Sequence, residues 1–350
     1  ALLSTASLNA LSSLQVSALS TDQVAAFTSA QAARLGSALL SALSSSQIMA
    51  LETSDIVQLR TSAVAALTTE QAIALSSTQI SIFNTAQLAA LATANLAALS
   101  STQIIALTTV QVGALGTSAF QALQTSQIEA FEVADVAVIS TVNLRSLLTL
   151  QLVALGTKQI AALTTGQIAS LSSTAFLSVT TDQLAALQTA KVAALSTSNI
   201  RNLSTDQLAS LSDTQVAALA DLQVNALSTL NVAALSTAHI VALTTRQYAS
   251  LSSNWVQALT EDQFSALQTS DLASLGNASV KILNTKQIVA LGTTGLRTLT
   301  STQFYSLSTV QIANLSNAQI RALSTTHIAA LQTQQVAALS TDRIQAFSTA

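Results

Sequence analysis

A large apolar residue returns at every eighth position along the whole chain. The series starts at Leu3 and runs through Leu11 to Leu339 and Phe347 without a shift of frame. The consensus unit is L-[ST]-T-x-Q-[IV]-A-A, with positions called a to h below, and about 44 copies fill the sequence. This predicts one continuous repeat array over residues 1–350. Because the last unit is incomplete at Ala350, we expect the array to be a segment of a longer chain.

A single continuous α-helix does not fit an eight-residue period. At about 100° per residue, the apolar pair at a and f would advance by about 80° per octad and spread around the helix. A flat strand does not fit either, because a and f are an odd number of residues apart and would point to opposite faces. The chain must therefore break direction once in every octad.

The polar positions of the octad favour a short helix. Ser or Thr at b, followed three residues later by Gln at e, is the capping-box pattern, as in Ser204 and Gln207. Leu203 at a and Leu208 at f then occupy the two positions of the hydrophobic staple. We therefore predict that each octad begins a helix, with position b as its N-cap.

Charged residues test this assignment, because positions d and g would lie on the face opposite the apolar pair. Position d carries Asp22, Glu70 and Asp206 among others, and g carries Arg145, Arg201 and Arg321 among others. The acidic residues come early in the helix and the basic residues late, as the helix dipole favours. A smaller group of charges replaces Gln at e, namely Asp55, Asp135, Lys191, Asp271 and Arg343. From that group we expect position e not to be deeply buried.

Helices of about six residues are not stable alone in water, so the octads must stack. We predict an all-α solenoid of tandem octapeptides, with one short helix per repeat and with a and f facing its axis. A β-solenoid with one corner per octad is the alternative. The number of octads per coil and the handedness do not follow from the sequence.

The composition bears on which partners to expect. The 12 Lys and Arg residues are scattered singly and are balanced by 15 Asp and Glu residues. No basic track is available to neutralise successive phosphates, so we do not expect nucleic-acid binding. Polar residues interrupt every octad, so no apolar stretch is long enough to span a membrane.

Candidate chemistry is sparse. His239 and His327 both replace Gln at e, far apart in sequence and without a Cys or a second His nearby, so we predict no metal site. A Ser or Thr nucleophile needs a base within hydrogen-bond reach, so we expect no catalytic residues, no cofactor and no enzymatic activity. Tyr248, Trp255 and Phe264 bring unusual bulk into neighbouring octads and form the one candidate ligand patch. Thr at c, as in Thr205 and Thr237, forms a line that suits ice binding if the fold is a β-solenoid.

The unit A-L-[ST]-T-x-Q-[IV]-A is matched in full by residues 162–169. It resembles octapeptide-repeat stretches of very large bacterial surface or secreted proteins. The resemblance implies an extracellular or cell-surface location and a role as a stalk, spacer or filament-forming protein that self-associates end to end or laterally. The alternative function is a binding module, such as an adhesin, that presents variable repeat positions to a ligand or surface.

Overall fold

The computed structural model of the protein describes residues 4–347, which contain 43 short α-helices and no strand. The all-α prediction is confirmed, and the β-solenoid alternative is wrong because every octad of the described residues closes helical hydrogen bonds. The repeat frame predicts one array, and the chain separates into two compact units, Ala1–Val179 and Thr180–Ala350. Each unit is described by itself.

The helices of the first unit are numbered so that each helix carries the number of its octad. They are α1 Thr5–Asn9, α2 Ser13–Ser17, α3 Thr21–Ala25, α4 Ser29–Ala32, α5 Ser37–Ala42, α6 Ser45–Ala50, α7 Thr53–Ile56, α8 Thr61–Val64, α9 Thr69–Ala74, α10 Ser77–Ser81, α11 Thr85–Ala90, α12 Thr93–Ala98, α13 Ser101–Ile105, α14 Thr109–Ala114, α15 Thr117–Ala122, α16 Thr125–Ala130, α17 Val133–Val138, α18 Thr141–Ser146, α19 Thr149–Ala154, α20 Thr157–Ala162, α21 Thr165–Ser170 and α22 Ser173–Phe176.

The second unit continues the same numbering. Its helices are α23 Thr181–Ala185, α24 Thr189–Ala193, α25 Thr197–Arg201, α26 Thr205–Ala209, α27 Asp213–Ala217, α28 Asp221–Ala226, α29 Thr229–Ala234, α30 Thr237–Ala242, α31 Thr245–Ser250, α32 Ser253–Gln257, α33 Glu261–Ser265, α34 Thr269–Ser274, α35 Asn277–Lys281, α36 Thr285–Ala290, α37 Gly292–Thr298, α38 Ser301–Tyr305, α39 Thr309–Ala313, α40 Asn317–Arg321, α41 Thr325–Ala329, α42 Thr333–Ala337 and α43 Thr341–Gln345.

Two extended residues at a and b separate one helix from the next. Leu99 has φ −60° and ψ 140°, and Ser100 has φ −70° and ψ 159°. The Ser100 hydroxyl accepts from the Gln103 backbone N–H at 3.3 Å, and the Gln103 side-chain oxygen accepts from the Ser100 N–H at 2.8 Å. This reciprocal pair is the predicted capping box, and it starts the helix at position c.

Within each unit a helix packs mainly against the helix three octads away, as α9 does on α12 and α31 on α34. Three octads therefore complete one coil. The number of octads per coil did not follow from the sequence. Consecutive coils bury positions a and f, where Ile104 and Leu107 are 0% and 4% exposed. Burial of such a side chain contributes about 1.5–3 kcal/mol. The prediction that a and f form the core is confirmed.

The charged surface follows the predicted face. Asp22 lies in the first turn of α3 and Arg145 in the last turn of α18, and both side chains are exposed. Positions d and g therefore face solvent, and the sign of their charge matches the nearer end of the helix dipole.

Candidate functional site: the buried residue at position e

Gln at position e is the residue that joins one coil to the next. The Gln103 side-chain oxygen caps its own helix, and its Nε2 donates to the backbone carbonyls of Ala72 and Leu75 in the preceding coil, at 3.1 and 2.7 Å. Ala72 lies in the last turn of its helix and Leu75 in the link that follows it, where a helix leaves backbone carbonyls without an intrahelical donor. The Ala72 carbonyl also accepts from the Leu75 N–H, whereas Gln103 supplies the donor for the Leu75 carbonyl. One amide therefore satisfies the start of one helix and the end of another.

The same pair of bonds recurs along both units, so we call it the e-bridge. The Oε1 atom accepts from the N–H of residue b, and the Nε2 atom donates to a carbonyl 28 residues earlier. Examples are Gln71, Gln151, Gln263 and Gln311.

The expectation that position e is not deeply buried is wrong. Asp55 is 1% exposed, Asp135 2%, Asp271 3% and Lys191 8%. Position e is buried because its side chain must lie between two coils to reach both the N-cap and the preceding carbonyls. Arg343 is half-buried and keeps part of the pattern, since its Nε donates to the Leu315 carbonyl at 2.5 Å.

Asn and Asp at e use a shorter version of the e-bridge. The Asn95 Nδ2 donates to the Leu67 carbonyl at 2.7 Å, and its Oδ1 accepts from the Thr69 hydroxyl at 3.0 Å. The Asp55 Oδ1 likewise accepts from the Ser29 hydroxyl at 3.3 Å, but its Oδ2 is buried without a hydrogen-bond partner. Desolvation by burial raises the pKa of Asp55, with the charge of Glu52 adding to the rise and the Ser29 bond opposing it.

The two histidines also replace the bridging Gln. The His239 Nε2 lies 2.8 Å from the Leu211 carbonyl, and its Nδ1 accepts from the Ser236 N–H at 3.4 Å. The His327 Nε2 lies 2.8 Å from the Leu299 carbonyl, and its ring stacks on Phe304. Each histidine therefore contacts the same carbonyl of the preceding coil that a Gln at position e would contact. Among residues 4–347 no group of three or more His, Cys, Asp or Glu side chains is arranged to hold a metal ion.

The three aromatic residues of the candidate patch lie in the interior. Tyr248 is 0% exposed, Trp255 2% and Phe264 1%. Tyr248 and Phe264 fill position f, and the Tyr248 hydroxyl donates to the Ile240 carbonyl at 2.5 Å. The structure therefore does not bring these rings together on a surface, because each occupies a core position between coils.

Trp255 makes neither hydrogen bond of the e-bridge, and a residue distant in sequence replaces one of the two. Its indole N–H is buried without a partner, and it offers no acceptor to the N-cap. The N–H of Ser252, which a Gln at e would bind, instead donates to the Asn225 Oδ1 at 2.8 Å. Sequence reasoning missed this pair, since Asn225 lies 27 residues earlier at a position that elsewhere faces solvent.

Ion pairs join the outer faces of neighbouring coils. Arg246 lies 3.2 Å from Asp221, and Lys286 lies 2.8 Å from Glu261. In both pairs a basic residue at d meets an acidic residue at c, 25 positions earlier.

The Thr residues at c are helix starts, as Thr205 is for α26 and Thr237 for α30, so they do not lie on the flat β-face that the ice-binding alternative assumed.

These helices, their stacking and the recurrent e-bridge define an all-α solenoid of tandem octapeptide repeats. The profile of the ALTTAQ repeat matches the chain eight times, over residues 1–29, 48–85, 83–117, 128–165, 136–173, 184–221, 232–269 and 312–349. These matches cover well over half of the chain, and the chain belongs to the ALTTAQ repeat family. The comparison with curated proteins found no match. In the part of the chain that the structure describes, no helix has both the length and the apolar character needed to cross a membrane.

Proposed function

We propose that the chain is a structural spacer whose length is set by the number of coils. The observation that supports this is the recurrence of one coil-to-coil interface through each unit, made by the e-bridge and by positions a and f. Each added coil repeats contacts that the previous coil already makes, so stability grows as a sum of units and neighbour terms. We propose no catalytic role for the Ser and Thr side chains at b, because they serve as helix caps, as Ser100 and Ser204 do.

The coil-to-coil interface has a direction. In the third octad Gln23 at e is exposed while Val24 at f is 0% exposed. In the forty-second octad the relation is reversed, since Gln335 is 2% exposed and Val336 is 42% exposed. Position e therefore contacts the preceding coil and position f the following coil, so every coil offers amides on one side and aliphatic side chains on the other.

This direction supports a second candidate function, which is end-to-end association. Ile328, Val336 and Ile344 form an apolar face at the last described coil, where they are 39%, 42% and 44% exposed. The interior of each unit indicates which partner fits such a face, namely the e side of another coil. We propose that a coil of the same kind covers it, either from flanking octads or from a second copy. We propose a location outside the cell, on the resemblance of the octapeptide to repeats of bacterial surface and secreted proteins.

A deletion experiment tests the spacer. Removal of residues 76–99 takes out three whole octads and joins Leu75 to Ser100 in frame. We expect the helical content per residue to be kept and the maximum dimension in small-angle X-ray scattering to fall by one coil, about 8–10 Å. Removal of residues 76–95 is the control, because it puts a and f out of register and should lower helicity. An unchanged maximum dimension after the 24-residue deletion would contradict the spacer.

A charge substitution tests end-to-end association. We expect the 350-residue chain to form larger species with rising concentration in sedimentation velocity, and Val336→Asp to reduce this association. Val310→Asp is the matched control, because Val310 is 61% exposed but lies at position d. A chain that stays monomeric at all concentrations, or that associates equally in both variants, would contradict a second copy as the partner.

A further inference from the structure

Two arginines of the second unit lie on one column of the solenoid. Arg297 and Arg321 both occupy position g, in the last turns of α37 and α40. Those two helices pack on each other in consecutive coils. The chain has only 12 basic residues, so two of them on neighbouring coils at the same position concentrate charge locally.

The two arginines line one open groove of about 580 Å³. The groove is also lined by Thr293, Thr294 and Thr298 and by two alanines, with no carboxylate. The Thr298 hydroxyl already donates to the Gly295 carbonyl at 2.8 Å, so Thr293 and Thr294 supply the hydroxyl donors. Guanidinium groups and hydroxyls are all hydrogen-bond donors. The groove therefore presents positive charge and donors, with no acidic side chain among the residues that line it.

Neither arginine takes part in an ion pair within residues 4–347. Two other exposed cations of this unit are paired with an acid, Arg246 with Asp221 and Lys286 with Glu261. A second groove nearby is lined by Lys286, Glu261 and Asp262 and so carries its own counter-charges. Arg297 and Arg321 differ from these two cations in lining one groove together with no acidic partner.

The backbone departs from the repeat at this groove. Gly292 has φ 61°, and Leu291 before it is helical rather than extended. As a result α37 begins at position b instead of c and lacks a side-chain cap. Among the described residues no other position has a positive φ. The groove therefore lies next to the one described residue with a positive φ, since Thr293 of its lining follows Gly292 directly.

We propose that this groove binds a doubly charged tetrahedral oxyanion of the phosphate type. Each guanidinium forms a planar fork that pairs with two oxygens of such a group, and a Thr hydroxyl donates to a third. Two arginines from consecutive coils match a dianion better than a monovalent carboxylate, which one fork satisfies. The same chemistry is offered by free inorganic phosphate and by a phosphoryl group on a larger ligand.

Isothermal titration of the 350-residue chain with inorganic phosphate tests the groove. We expect saturable binding at one site, weakened roughly tenfold or more by either Arg297→Gln or Arg321→Gln, since each removes a charge-assisted pair. Arg201→Gln is the matched control, because Arg201 is an exposed arginine at g in the last turn of α25. It should leave the affinity within about twofold. Circular dichroism of each variant verifies that the fold is kept.

Phenyl phosphate distinguishes the two sources of the oxyanion. Tighter binding of the monoester than of inorganic phosphate supports a phosphoryl group on a larger ligand, and equal or weaker binding supports the free ion. The proposal is overturned if the wild-type chain shows no saturable binding of either compound. It is also overturned if the chain that carries both Arg297→Gln and Arg321→Gln binds as well as the wild type.

Discussion

The Nε2 atom of Gln103 lies 2.7 Å from the carbonyl oxygen of Leu75, 28 residues earlier in the chain. This contact connects the start of one helix to the link that ends another helix in the preceding coil. Because each helix is too short to be stable alone, the polar groups at its ends are a large share of its hydrogen-bonding capacity. The e-bridge satisfies these groups without a long helix.

Removal of the bridging amide is expected to be costly only where a preceding coil is present. Gln103→Ala leaves the Ser100 N–H and the buried Leu75 carbonyl unpaired, and should lower the free energy of unfolding of its unit by about 2–4 kcal/mol. Gln15→Ala is the control, because Gln15 is exposed and caps only Ser12. It should cost about 0.5–1 kcal/mol. Urea titration followed by circular dichroism measures both, and equal costs would contradict the inter-coil role.

Asp55 is expected to make stability depend on pH. Burial raises the pKa of its carboxyl in the folded state, so the folded chain holds the proton more tightly than the unfolded chain. Stability is therefore highest below the unfolded pKa, falls as pH rises through the raised folded pKa, and stays low above it.

Asp55→Asn replaces the unpaired Oδ2 by an N–H group that can donate to a carbonyl of the preceding coil, as the Asn95 Nδ2 does to the Leu67 carbonyl. At neutral pH we expect a gain of about 1–3 kcal/mol in unfolding free energy, shrinking to nothing in strong acid. Asp22→Asn, an exposed change of the same charge, is the control. Urea titrations at several pH values measure the difference, and a gain that does not depend on pH would argue against this mechanism.

We expect Asn225 to protect the Ser252 N–H only because Trp255, which has no acceptor, occupies position e. Asn225→Ala removes the acceptor of the Ser252 N–H, so hydrogen exchange at that amide should become faster by roughly fivefold, as the loss of a cap worth about 1 kcal/mol implies. In a Trp255→Gln background the new amide should cap Ser252, and the effect of Asn225→Ala should largely disappear. Asn314→Ala is the control, because that side chain bonds only to Val310 of its own helix. Additive effects of the two substitutions would disprove the compensation.

Two glycines at position b are expected to respond differently to Ala. Gly292 has φ 61° and Gly36 has φ −82°, and both have open space around the added methyl group. Gly292→Ala should cost about 1–2 kcal/mol, because an L-residue is strained at that φ. Gly36→Ala should change stability by less than about 1 kcal/mol. Thermal unfolding of both variants tests the difference, and a neutral Gly292→Ala would rule out the inferred backbone strain.

Local features of the fold were predictable because they depend on residues close in sequence. The capping box between Ser100 and Gln103 spans three residues, and the staple between a and f spans five. The face that carries Asp22 and Arg145 also follows from helical geometry alone. These short-range rules gave the start of each helix and its buried and exposed sides.

The prediction for position e was wrong because its burial depends on residues outside its own octad. Asp55 and Lys191 suggested solvent contact, but the space around e is set by a coil 24 residues away. The repair of Trp255 by Asn225 is likewise a contact between coils. In both cases the deciding neighbour is remote in sequence.

The sequence by itself determined that each octad forms a short helix with an apolar pair at a and f, and that a side chain at b caps most of these helices, because caps and periodicity act within one turn. Only the tertiary structure decided that three octads close a coil, that Gln at e serves two coils at once, and that Arg297 and Arg321 share one groove. Those features depend on how far the chain turns at each two-residue link. Small changes in φ and ψ at these links would alter the coil without altering the repeat, so the octad pattern does not specify them.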